Sequence, residues 1–327
     1  MRGARILISV LVVTALVAAA GADASRAGSR TTPVVPQITG KVRGKHIATL
    51  RRGRRLGNRV NVFAKVGDSI SESPAFAQAL GCGRWTAQRP DRLRPVVRLF
   101  SRRVLTGTSA YCPRVDSFSR NSAATLSGKA SDWPLTPGAA VDPSCGSDET
   151  PLACEIRLIR PAYALVLIGT NDLALAAALG GDPVPGFVAN VTHIVQTARS
   201  SGVVPILSTI PRRADLPDSE PEVRALNSAV HAVARRMRAP LIDLWRALEP
   251  LPDHGLARDG VHLSLFGGPD CAGPCDPNTC MPGCRPGNLT AAGVAYGYNA
   301  RNLITALTLS RLADLERLSR NRMGRHG

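Results

Sequence analysis

Aromatic residues are scarce: Phe, Trp and Tyr make up 4% of the 327 residues. That leaves little material for an extended platform on which sugar rings could stack. No aromatic side chains interleave with the many arginines, so base stacking has no support and specific nucleic acid is not an expected partner. Past residue 20 there is no hydrophobic run long enough to cross a bilayer. A glycine-rich phosphate loop and a His-Glu metal motif are both missing, so neither a cofactor nor a metal site is expected. No cysteine lies near residue 24, which argues against a lipid anchor there.

What the chain does have begins with charge. Lys and Arg number 41 against 24 Asp and Glu, a formal net charge of +17. Much of the excess lies in one segment, with Lys41, Arg43, Lys45, Arg51, Arg52, Arg54, Arg55 and Arg59. A basic tail follows at 316–327. Such stretches can hold a protein near an anionic cell-surface polymer. The opposing reading is a solvated arm with no partner.

Arg2 and Arg5 precede an apolar run from Ile6 to Ala20, and Ala22-Asp-Ala24 has the small-x-small pattern of a cleavage site. Residues 1–24 are therefore expected to be a signal peptide, with Ser25 opening a secreted chain, extracellular or periplasmic. Residues 25–57 lack sustained periodicity and read as a basic, disordered linker. Eight cysteines suit an oxidising compartment. They fall into three groups: Cys82 with Cys112, Cys145 with Cys154, and Cys271, Cys275, Cys280 and Cys284. Disulfides within these groups are the expectation. The last group also matches loose zinc spacing, which export and its short span disfavour.

From residue 58 to about 315, apolar strand-like runs alternate with helical patterns. This predicts one α/β domain, a three-layer α/β/α stack around a parallel, flavodoxin-like sheet. Val60 to Val66 is a β-branched run suited to a buried strand. Phe187, Val191, Ile194 and Val195 mark one face of an amphipathic helix. Ser219-Glu-Pro-Glu222 reads as a capping box. Leu241 to Trp245 reads as a last strand, and Thr290 as the cap of the last helix.

Three short stretches carry chemistry. The first strand ends in Gly67-Asp68-Ser69, which places a serine at the carboxyl edge of a parallel sheet, where such sheets bind ligands. A second apolar strand ends in Gly169-Thr-Asn-Asp172. Arg258-Asp-Gly-Val-His-Leu263 puts Asp259 three residues before His262. A serine is a poor nucleophile unless a base takes its proton. Imidazole titrates near neutrality and suits that role, and a carboxylate can fix its tautomer. Each motif alone could be an ordinary turn. His254 is a nearby competitor for the base, but Leu251 stands where its orienting carboxylate would be.

In that order the motifs resemble the SGNH/GDSL hydrolase family, over roughly residues 58–310. Asn227, Pro240–Leu244 and Leu289–Gly293 fit the same pattern. The resemblance implies the SGNH hydrolase fold and a two-step ester hydrolysis through an acyl-Ser69 intermediate. Ser69, His262 and Asp259 would be the catalytic set. The oxyanion hole would come from the Ser69 N–H, the Asn171 side chain and a glycine N–H. For that glycine Gly128 is chosen, with Ser122 as the alternative. Against the family's short junction, residues 271–287 form a Cys-rich insertion after the histidine, placed to rim the site. The implied substrate is a small-molecule, lipid or polysaccharide ester. Acyl transfer would use the same residues. A non-catalytic wall-binding protein on the same fold is the reading from another class, and a metal-dependent phosphodiesterase lacks its ligands.

Overall fold

The structure is a computed structural model that describes residues 33–110, 112–267 and 284–323. A compact body begins at Val34. Its strands are β1 (Arg59–Gly67), β2 (Thr86–Ala87), β3 (Pro161–Leu167), β4 (Val204–Ser208), β5 (Leu241–Ile242) and β6 (Asn288–Leu289). The helices are α1 (Gly40–Arg55), α2 (Ser69–Glu72), α3 (Gln78–Gly81), α4 (Pro90–Ser101), α5 (Pro151–Ile159), α6 (Thr170–Leu179), α7 (Val184–Ser200), α8 (Glu220–Met237), α9 (Leu244–Leu248) and α10 (Gly297–Met323).

Four strands form one parallel sheet in the order β1-β3-β4-β5, and β2 pairs with β6 beside it. The pleat sends alternate side chains to opposite faces. Val62, Ala64 and Val66 enter one core with Ile156 and Ile159 of α5, Val191 and Ile194 of α7, and Leu226 and Val230 of α8. Phe63 enters the other, with Leu50 of α1, Val96 and Phe100 of α4, and Leu309 and Leu312 of α10. β3 lies between β1 and β4 and is buried at every residue, as a central parallel strand must be. The result is the three-layer α/β/α architecture the alternation predicts. Lys65 shares the Phe63 face, donates to the Phe118 carbonyl at 3.4 Å, and is driven down to about 7 by burial.

Several expectations need correction. The segment read as a disordered linker contains α1, whose His46, Thr49 and Leu50 are buried against the sheet. Its apolar residues are too few for a visible period, because His46, Thr49 and Gly53 make up most of that face. Ser219 does not form a capping box: its hydroxyl donates back to the Leu216 carbonyl at 2.7 Å, because a tight turn runs straight into α8. β5 stops at Ile242, since the Asp243 side chain accepts from the Arg246 N–H and starts α9. Thr290 accepts from Gly293 N–H at 3.4 Å, so it caps a short turn ahead of α10 rather than α10 itself. The helix continues to Met323, past the proposed start of the tail.

Cys82 pairs with Cys112 (Cα–Cα 5.2 Å) and Cys145 with Cys154 (5.4 Å). Cys284 is disulfide-bonded as well. Cys271, Cys275 and Cys280, and most of the proposed insertion, lie outside the described residues.

His46 supplies a pH test of α1 docking. Its ring stacks on Tyr163 at 5.9 Å, and neither ring nitrogen has a partner among the described residues. Burial holds its pKa down at about 4. The unfolded chain takes up that proton near 6.5, so stability is full above 6.5 and is lost as pH falls toward 4, by about 3 kcal/mol. Urea unfolding at neutral pH and at about pH 4.5 should show a smaller acid loss in His46→Leu, by roughly 2 kcal/mol.

Candidate active site

Ser69 sits where β1 stops. Gly67 ends the strand at φ +158, and its N–H donates to the Ala124 carbonyl at 3.0 Å. A Cβ on Gly67 would lie 2.0 Å from the Leu167 carbonyl oxygen, so any side chain there would force β1 and β3 apart. Asp68 is extended and accepts from Ile70 N–H at 3.1 Å, which starts α2 with Ser69 as its first residue. First-turn N–H groups have no partner within a helix. The Ser69 N–H is thereby left for another acceptor. Burial pushes the Asp68 carboxyl up to about 6, against the pull of Ile70 N–H and Arg301.

His262 arrives on the loop after α9. Its Nε2 lies 2.9 Å from Ser69 Oγ, and its Nδ1 lies 2.6 Å from Asp259 Oδ2. The other oxygen of Asp259 accepts from the backbone N–H of Val261 (3.1 Å) and His262 (3.0 Å). Burial alone would raise the Asp259 carboxyl, but the His262 side chain and these two N–H groups outweigh it and hold it below its usual range. Gly260 makes the turn at φ +72, and a Cβ there would lie 2.6 Å from the Asp215 nitrogen. The three residues thus stand in a continuous hydrogen-bonded line. Asp259 fixes the tautomer with a proton on Nδ1, which leaves Nε2 free to accept from the serine.

Asn171 lies in the first turn of α6 and donates to the Lys129 carbonyl at 3.0 Å. This brings the 126–129 stretch to the Asn171 side chain. Gly128 is exposed there at φ +74. Ser122 is buried, and its hydroxyl donates to the Lys65 carbonyl at 2.6 Å. Asp172 accepts from the Ser131 hydroxyl (2.5 Å) and N–H (2.9 Å), a structural role. His254 is placed with Nδ1 3.2 Å from the Glu249 carbonyl and is not joined to Ser69.

Two arginines in the site carried no readable motif. Arg301 of α10 is buried; it donates to the Ile70 carbonyl at 2.6 Å and Ser71 Oγ at 2.9 Å, and lies 3.6 Å above the Phe76 ring. Burial lowers its pKa to about 10. It holds α2 from beneath. Arg213 is paired with Asp215 through two bonds, 2.7 and 2.6 Å, and donates to the Thr170 carbonyl at 2.5 Å. The adjoining Ala214 N–H donates to the Gly260 carbonyl at 2.8 Å. Arg213 therefore joins the Asn171 turn to the His262 loop. Arg213→Gln breaks that link, and a misplacement of this kind should lower kcat roughly 10- to 100-fold with KM nearly unchanged. Arg213→Lys should recover part of the loss. Steady-state kinetics of both variants checks this.

Beside Asp259 a cavity of about 850 Å³ opens, lined in part by Asp215, His254, Leu256, Arg258, Leu265 and Tyr296.

The GDSL-like lipase/acylhydrolase family matches this chain over residues 65–267, more than half its length. The chain belongs to that family. No curated protein matches it. Among solved structures it is similar to a lipase/acylhydrolase from Enterococcus faecalis, with 16% identity, TM-score 0.42, and coverage of 76% of this chain and 94% of that one. It is also similar to an α/β hydrolase from the Lake Arreo metagenome (14%, TM-score 0.45, 76% and 95%). A third is an acetylxylan esterase from Geobacillus stearothermophilus, solved as a catalytic mutant (14%, TM-score 0.41, 77% and 93%).

Proposed function

We propose that this GDSL-family chain is an exported serine esterase, with Ser69 as nucleophile, His262 as general base and acid, and Asp259 as the group that orients it. The observation that carries the reading is the line from Ser69 Oγ to His262 Nε2 (2.9 Å) and from His262 Nδ1 to Asp259 (2.6 Å). In the first step the hydroxyl proton passes to Nε2 as Oγ bonds to the ester carbonyl carbon. The imidazolium then gives that proton to the leaving alcohol, and an acyl-Ser69 remains. A water, deprotonated by the same nitrogen, releases the acid and restores the serine. The oxyanion is met by the Ser69 N–H, the Asn171 amide and a donor from the 122–128 stretch, with Gly128 the candidate; each donor contributes a few kcal/mol.

Export is part of the same reading. The paired cysteines support an oxidising compartment. Among the described residues no helix is long and apolar enough to cross a membrane. We read Ser25 as the first residue of the mature chain.

The test is hydrolysis of p-nitrophenyl esters from acetyl to palmitoyl by mature protein, with Ser69→Ala alongside. Rates that are highest at acetyl and vanish in the variant support the reading. Equal rates in the two proteins would sink it. Turnover only when an acceptor sugar is added would make the protein an acyltransferase.

A further inference from the structure

Strand direction sorts the charge of this molecule. In a parallel sheet the helix that leads into each strand ends at the strand's amino edge, so the last turns of these helices gather on one base. Here those ends carry arginine: Arg55 closes α1 before β1, Arg160 follows α5 before β3, Arg199 ends α7 before β4, and Arg238 follows α8 before β5. The sequence around them holds no acid. There is no Asp or Glu between Asp23 and Asp68, Asp91 and Asp116, Glu155 and Asp172, Asp182 and Asp215, or Glu222 and Asp243. Glu316, which reaches this base from α10, is engaged by Arg54.

The densest part surrounds the start of β1. Arg59 is lowered by burial first, and then by the nearby charges of Arg103 and Arg160. A Cβ on Gly57 would lie 3.3 Å from Arg160 Nη1, so the 56–58 turn lies against that guanidinium. Like charges were not kept apart here. Beside them stand two of the five exposed large apolar side chains among the described residues: Leu56, 50% exposed, next to Arg55, and Val104, 62% exposed, next to Arg103.

We infer that this base is a docking surface for an anionic phospholipid membrane, through arginines on lipid phosphates and shallow insertion of Leu56 and Val104. The apolar pair decides between partners. A soluble polyanion is met by charge alone and gains nothing from protruding Leu and Val. A membrane interface rewards both terms. The orientation follows from β1, whose nine residues set Ser69 about 25 Å from the docking base, at the other edge of the sheet. A docked molecule therefore turns its hydroxyl away from the lipid it sits on. On the esterase reading, its substrate is an ester beyond the membrane, not the lipid underneath.

Vesicle sedimentation tests this with the chain from Ser25, which contains the whole compact body from Val34. It needs no turnover, so it is judged apart from the esterase reading. The protein should bind vesicles holding about 30% phosphatidylglycerol in phosphatidylcholine, and release as salt rises. Arg103→Glu with Arg160→Glu should weaken binding about 100-fold. Leu56→Ser with Val104→Ser should weaken it about tenfold while binding of soluble polyphosphate is unchanged. Arg224→Glu, an equal charge change at the start of α8 on the opposite edge, should matter far less than Arg160→Glu. Unaltered vesicle binding by the Leu56/Val104 variant would overturn the inference in favour of a soluble-polyanion surface. Equal losses from Arg224→Glu and Arg160→Glu would reduce it to net charge.

Discussion

Replacing Ser69 with alanine is expected to lower kcat on p-nitrophenyl acetate by about 10⁴- to 10⁶-fold. The magnitude follows from how the geometry divides the work. In this mechanism Oγ forms the acyl bond, and His262 Nε2 lies 2.9 Å from it, within reach of its proton. What survives would be the contribution of binding and the oxyanion donors, about 10³ over water. The fold should hardly notice. Gly67 and the Asp68 cap set the turn, and neither depends on the lost hydroxyl. Melting temperature measured beside kcat separates lost chemistry from lost structure.

Asp259→Asn is expected to cost about 10³- to 10⁴-fold in kcat with KM largely spared. The asparagine oxygen can still accept from the Val261 and His262 N–H groups, so the turn is kept. Its amide NH₂ then faces His262 Nδ1, which must accept, and the ring proton moves to Nε2. That nitrogen can no longer take the proton of Ser69. The same carboxyl bears on stability. Its folded pKa is depressed, so the ionised form contributes stability above the unfolded carboxylate range, and this is lost as pH falls through the folded value. Steady-state kinetics together with acid unfolding of the variant measures both effects.

Much of this was legible in the sequence for local reasons. The alternation of Val62, Ala64 and Val66 and the helical spacing of Phe187, Val191 and Ile194 state burial directly, and both sets lie in the core. Asp259 and His262 sit three residues apart around a glycine, so their contact is nearly a local property. Ser69 was readable because a glycine at a strand end leaves few backbone choices. The unreadable parts depend on distance along the chain. Arg301 meets α2 from more than two hundred residues away, and one arginine among many in a basic chain carries no pattern. Arg213 carries no pattern either, because its target is the Thr170 carbonyl oxygen, a group that sequence does not mark. α1 was hidden by its basic composition: eight positively charged residues between 41 and 59 masked a narrow buried stripe of His46, Thr49 and Leu50. The cap at Ser219 failed because a turn upstream offered its hydroxyl a competing carbonyl.

The claim at the centre is that Ser69 carries the acyl group. Rapid acid quench of the mature protein during turnover of p-nitrophenyl acetate, followed by peptide mass analysis, tests it most directly. An acetyl group is expected on the peptide that contains Ser69, and none in His262→Ala under the same conditions. Undiminished turnover with that peptide unmodified, or with the acetyl group on another residue, would contradict it.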